Sequence, residues 1–180
     1  MRQTGKVALG GVLGALSLTF MLLTFFPFGT YALPAISGAV LIPFVIEINA
    51  SSGWLVYAAV AILSLFISPD MEAKLLFISF FGYYPILKSL LERLKKRWLE
   101  WLLKITVFNV AIITSYFLLL FVFGLDADEI VQSGKYFVYG IIAAGNFVFI
   151  IYDMALTNVI SLYLRTLHPR VAKMFKLKTR

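Results

Sequence analysis

Long apolar runs, separated only by short charged segments, take up almost all of this chain. A soluble domain of 180 residues has too small a core to hide them, with 61% of residues hydrophobic, 14% charged and a mean hydropathy of +0.92. Hydrocarbon accepts such surface, and a membrane-spanning helix needs only about 20 mostly apolar residues. The chain therefore reads as an all-α membrane protein, one integral domain over residues 1–180, with a lipid bilayer as its first partner.

Breaker residues divide the runs into six predicted helices, at 7–26, 35–48, 54–67, 73–92, 98–123 and 136–164, followed by a basic tail at 165–180. Pro27-Phe28-Gly29, the polar stretch Asn49 to Gly53, Ser68-Pro69-Asp70 and the acidic stretch at Asp126 to Glu129 mark the turns. Pro43 and Pro85 fall inside predicted helices, where a missing N–H predicts kinks. The first run, behind Arg2 and Lys6, has the look of a signal peptide. At ~20 residues it is too long for an ordinary one, and no small-residue cleavage site follows, so it reads as the first membrane helix.

The charges give an orientation. With the N-terminus in the cytoplasm, the charged outer loops hold Asp70, Glu72, Asp126, Asp128 and Glu129 against Lys74 and Lys135. Nearly all other Lys and Arg fall at residues 2–6, 93–97 and 165–180, on the inner side. An even number of crossings satisfies the positive-inside rule, so six helices with both termini cytoplasmic is the expected bundle. The stretch Lys88 to Arg97 reads as a topology-setting charge run or as an interfacial amphipathic extension, with Trp98 and Trp101 at the headgroup level.

Several chemistries are excluded or disfavoured. There is no cysteine, and the single histidine, His168, lies in the tail, so no multi-histidine metal site is expected. No cofactor motif and no clustered acid–base set points to an enzyme, and no catalytic residue is assigned. The net charge of +7 fits membrane orientation better than nucleic acid.

The first helix carries Gly10, Gly11, Gly14 and Ala15 near Ala8, a spacing that lets backbones approach closely. Packing inside the bundle and docking on another membrane subunit are both open readings. Asp153 in the sixth helix, with Lys88 and Lys104 at similar depth, is an ionisable group in hydrocarbon. It belongs either to an ion-paired structural network or to a proton or ion relay. Glu47 is expected at the interface. Phe80 and Tyr83 beside the Pro85 kink, with Ser115, Tyr139 and Asn146 at depth and Tyr31 in the first outer loop, are candidates to line a small-molecule pocket. Plain helix–helix contact is the competing reading for each.

In size and plan the chain resembles the substrate-binding S components of energy-coupling factor (ECF) transporters. The resemblance is carried by Lys6 to Leu16, by Pro27-Phe28-Gly29, and by Ala35-Ile36-Ser37-Gly38 leading into Ile42-Pro43. It implies a bacterial plasma-membrane protein that binds a vitamin-like micronutrient from outside and hydrolyses nothing. It implies a partner too, a membrane-embedded coupling subunit driven by two cytoplasmic ATPases. Ala8, Gly11 and Ala15 would form the docking face. The ligand would lie under the loops at 28–34 and 68–74, against the fourth to sixth helices. The alternative is a non-enzymatic scaffold of a cell-envelope complex, similar to the rod-shape proteins.

Overall fold

The computed structural model describes residues 3–26, 29–123 and 135–174. Among them every regular element is helical. In chain order these are α1 (Gln3–Leu22, prolonged by a 3₁₀ turn, Leu23–Phe25), α2 (Ala32–Ala39), α3 (Ile42–Glu47), α4 (Ala50–Ile67) and α5 (Met71–Leu76). A π-helical segment (Phe77–Phe81) leads into α6 (Tyr84–Leu91), and α7 (Arg97–Phe123), α8 (Lys135–Thr166) and α9 (His168–Met174) complete the fold. Five stretches are long and apolar enough to cross a membrane: Gln3–Phe25, Ala50–Ile67, Met71–Leu91, Arg97–Leu118 and Ile142–Thr166. Their outward surfaces are apolar, with Phe66 82% and Phe117 64% exposed. Water would disfavour such a surface and lipid would not. The chain is a multi-pass membrane protein by this measure.

The expected second helix is two short ones. Proline 43 has no N–H to offer the Ala39 carbonyl, and the helix breaks at Val40–Leu41 before restarting with Pro43 in its first turn. The two pieces, 32–47, still run the length of α1 in the opposite direction. Ser37 lies beside Ser17, and Phe44 lies against Gly10. The Ser17 and Ser37 hydroxyls are 2.7 Å apart, and each donates to the other residue's carbonyl oxygen, at 3.0 and 2.9 Å.

The fourth predicted helix is interrupted in its middle. Gly82 N–H bonds Phe77 O at 2.8 Å, one residue further back than in an α-helix. That leaves the Ile78 carbonyl without its usual partner, and the Tyr57 hydroxyl donates to it at 2.6 Å. Only glycine fits at 82, since a Cβ there would lie 2.6 Å from the Tyr57 ring. Pro85 then deprives the Phe81 carbonyl of a helical donor, and the backbone of Gly38 packs directly on that oxygen. Around this break Phe80, Tyr84, Ile42, Ala111, Phe149 and Leu156 form the main core. Phe108 and Phe149 stack at 4.7 Å beside Phe80.

Two caps fix helix starts. Asn49 accepts Ser52 N–H at 2.7 Å, and Asp70 Oδ1 accepts Glu72 and Ala73 N–H at 2.9 and 3.2 Å. The helix expected at 73–92 ends at Leu91, and residues 92–96 turn instead of extending it.

The Gly38–Phe81 approach generates a prediction. A Cβ at position 38 would meet the Phe81 oxygen at 1.9 Å, and a backbone atom cannot swing aside. Gly38→Ala should therefore destabilise the protein by about 2 kcal/mol or more. A melting curve in detergent checks this, with Gly11→Ala, which meets nothing within 4 Å, as the neutral comparison.

Candidate functional site

The charges at membrane depth come together. Asp153, on the inward face of α8, accepts from the Lys88 ammonium at 2.6 Å and the Tyr84 hydroxyl at 2.6 Å through Oδ1. Through Oδ2 it accepts from Lys104 at 3.1 Å. Lys88, Lys104 and Asp153 are 0%, 2% and 3% exposed. The three residues that the sequence singles out as intramembrane charges thus form one network tying α6, α7 and α8. Two further carboxylates complete it. Glu92 lies 2.8 Å from Lys88 and 3.6 Å from Lys104, and Glu100 lies 2.8 Å from Lys104. Glu92 comes from the stretch that reads as a basic run and Glu100 from the start of the predicted fifth helix, and only their helical spacing to a lysine, 88 to 92 and 100 to 104, hints at the role. A polar cavity of about 570 Å³ opens over Lys104 and Asp153.

The same end of the bundle holds Glu47. It does not reach water, because its side chain is 1% exposed beneath the C-terminal segment. Its Oε1 accepts from the Tyr163 hydroxyl at 2.7 Å and contacts His168 Nδ1 at 2.8 Å. Sequence reasoning missed this pairing, which joins residues 121 apart in the chain.

At the opposite end, the loops at 29–31 and 68–72 fasten to each other. The Thr30 hydroxyl donates to Asp70 Oδ2 and the Tyr31 hydroxyl to Glu72 Oε1, each at 2.7 Å. The hydrogen bond to Glu72, with partial burial and the charges of Glu72 and Asp70, pushes the Tyr31 hydroxyl pKa up to about 12. Below them Thr24 and Ser68 hydroxyls pair at 3.0 Å.

The remaining pocket candidates do not converge on one space. Phe80, 1% exposed, is packed in the core. Tyr83 stacks on Trp54 at 5.8 Å. Ser115 donates to Ala111 O at 2.8 Å and also bonds the Ser79 hydroxyl. Asn146 and Asn109 exchange amide hydrogen bonds at 2.9 and 3.1 Å, joining α7 to α8. Tyr31 is 63% exposed in the loop latch. The Tyr139 side chain, like Pro27, Phe28 and the acidic stretch at 126–129, lies outside the described residues.

The small residues of α1 divide into two faces. Gly10 and Gly14 are buried against Phe44, Val56 and Val60. Ala8, Gly11 and Ala15 are exposed. Gly11 and Ala15 border an apolar groove of about 660 Å³, shared with Leu55, Ala59 and Leu63 of α4.

Comparison of the chain with protein-family models, with curated proteins and with solved structures finds no match.

The network makes Asp153 a structural anchor first. Asp153→Asn leaves two buried lysines short of a counter-charge and should destabilise the fold by roughly 3 kcal/mol or more. Pairing Asp153→Leu with Lys88→Met should recover part of that loss in thermal melts. An unchanged melting temperature for Asp153→Asn would reject the anchor.

Proposed function

We propose that the chain is the substrate-binding subunit of a bacterial membrane transporter, of the kind the ECF S components represent. In this reading it crosses the plasma membrane six times with both termini cytoplasmic. Residues 32–47 make the second crossing. Sixteen residues of helix reach about 24 Å, short of the ~30 Å hydrocarbon core, so this crossing requires local thinning or flanking polar residues. The basic end, from Lys6 to Arg93 and Arg170, then faces the cytoplasm, and the latched end at Asp70 and Glu72 faces outward.

The observation that carries the reading is the free face of α1. Ala8, Gly11 and Ala15 are turned away from the bundle, while Gly10 and Gly14 already serve the internal contact with α4. Internal packing therefore does not use the outer set. In lipid, exposed small residues beside a groove favour close approach of another helix. The partner is a membrane-embedded coupling subunit carrying two cytoplasmic ATPases. The ligand is a vitamin-like small molecule taken from the outer side, where the latched loops 29–31 and 68–74 would admit it. The chain itself is not assigned an enzymatic activity.

One observation favours the second reading, a membrane scaffold of a cell-envelope complex. Phe77 and Phe80, beneath the outer loops, are 0% and 1% exposed and packed against side chains. A ligand at that level has to displace them or follow a shift of α5 and the π segment.

Small-molecule mass spectrometry on the purified protein separates the two. A stoichiometric vitamin-like compound is expected for the transporter subunit. An empty bundle that co-purifies with wall-synthesis proteins would favour the scaffold. Gly11→Leu tests the docking face, since nothing in the chain lies within 4 Å of a Cβ there. It should abolish co-purification of the coupling subunit and leave ligand retention and melting temperature unchanged. Gly10→Leu, which would meet Phe44 at 3.1 Å, should instead lower stability. Retained assembly in Gly11→Leu would refute the docking face.

A further inference from the structure

The cavity over the ion network has a lining that transport does not explain. Its volume of about 570 Å³ falls in the range of roughly 300–1,000 Å³ usual for small-ligand sites. Its floor is Lys104 and Asp153, and Glu92, Glu100 and Arg97 line it too. Glu92 keeps 39% of its side chain exposed while it contacts both lysines. Arg97 is exposed and stands outside the ion pairs of the network. The recess therefore offers an accessible guanidinium for an anion and an accessible carboxylate for a cation. A purely anionic ligand would meet Glu92, Glu100 and Asp153. A purely cationic one would meet Arg97 and Lys104. A zwitterion with an anion and a hydrogen-bonding ammonium satisfies both.

The rest of the wall says where that zwitterion comes from. Leu94, Trp101 and Met154 also line the recess. Met154 is 58% exposed, and its neighbour Ile151 is 52% exposed on an α8 surface that hydrocarbon would cover. The recess thus opens sideways toward lipid. Trp98, 66% exposed, and Trp101 begin α7 where interfacial indoles sit. Lys104 is seven residues along α7 from Arg97, about 10 Å deeper. The polar lining spans the level of phospholipid headgroups and the top of the acyl chains.

We propose that this recess binds the headgroup of an aminophospholipid. The phosphodiester accepts hydrogen bonds from the Arg97 guanidinium. The primary ammonium donates to Glu92 and Glu100. The acyl chains leave past Leu94 and Met154. A choline headgroup has no N–H to donate to the carboxylates, and a glycerol headgroup has no cation. Both should bind more weakly. This inference rests on the membrane placement of the chain and is independent of the transport reading, so a failed docking test leaves it standing.

The test is native mass spectrometry of the full-length protein in detergent, titrated separately with phosphatidylethanolamine, phosphatidylcholine and phosphatidylglycerol. Phosphatidylethanolamine should be retained about tenfold more tightly than either of the others, the scale of one charge-assisted hydrogen bond. Arg97→Gln and Glu92→Gln should each reduce that preference about tenfold. Arg93→Gln, on the same turn but outside the recess, should leave it intact. Arg97 is exposed, so its variant keeps the test open even where Glu92→Gln weakens the fold. Soluble glycerophosphoethanolamine serves as competitor. Displacement only at millimolar concentration supports the lipid. Displacement at micromolar concentration would assign the recess to a soluble zwitterion and overturn the lipid proposal. Equal retention of the three lipids, or an unchanged preference in Arg97→Gln, would overturn the site itself.

Discussion

One carboxylate organises half of this bundle. An isolated Asp153 at membrane depth would be strongly unfavourable, and it is held by two ammonium groups and a phenol from two other helices. Each partner has the same problem in reverse. Lys88 and Lys104 are fully desolvated, so each requires the carboxylate as much as it requires them. Glu92 and Glu100 complete the compensation at the margin of the cavity. The geometry of α6, α7 and α8 at this end follows from mutual neutralisation. Apolar packing in lipid supplies no comparable directional force, since lipid tails are as apolar as the side chains they replace.

The other half, α1 to α5, is held by different means. Apart from the loop bonds to Asp70 and Glu72 and the Glu47 contacts, the contacts there are neutral and short-ranged. They comprise the reciprocal Ser17–Ser37 bonds, the Gly10 and Gly14 approach to α4, and the Gly38 backbone lying on Phe81. The two modes meet at the π segment. Its extra residue frees the Ile78 carbonyl for Tyr57 on the neutral side and aims Phe80 and Tyr84 into the aromatic core on the ionic side. Pro85 makes the interruption lasting, because it cannot restore the α-helical bond to Phe81.

The sequence makes the ionic half legible and the neutral half much less so. A charge inside an apolar run demands a partner, and Asp153, Lys88 and Lys104 were the only ones at matching depth. Glu92 is hidden because it stands among surface-type basic residues, where a solvated charge run is the simpler expectation, and Glu100 because it sits at the interfacial start of α7. The small residues of α1 announce a close contact but not its direction. Which of Gly10 and Gly11 faces Val56 depends on the rotation of the helix, and no residue in α1 itself sets that rotation. Pro43 and Pro85 mark their breaks, yet the π turn at Phe77–Gly82 depends on Tyr57, 21 residues away, to satisfy the carbonyl it frees. Glu47 and His168 pair across 121 residues, a contact with no local signature. The aromatic residues near Pro85 fit either a pocket wall or a core, and packing partners alone distinguish the two.

The two ends of the bundle consequently differ in how readily they open. At the Asp70 end the fastening is a pair of hydrogen bonds between loops, Thr30 to Asp70 and Tyr31 to Glu72. Partly exposed bonds of this kind contribute about 1 kcal/mol or less each. With its hydroxyl pKa pushed up to about 12, Tyr31 stays a donor throughout the neutral range, so a rise in pH within that range does not release it. At the Asp153 end, separating α8 from α6 and α7 exposes at least three desolvated charges in a low-dielectric medium, a far larger penalty. The loop fastening is therefore the weaker of the two.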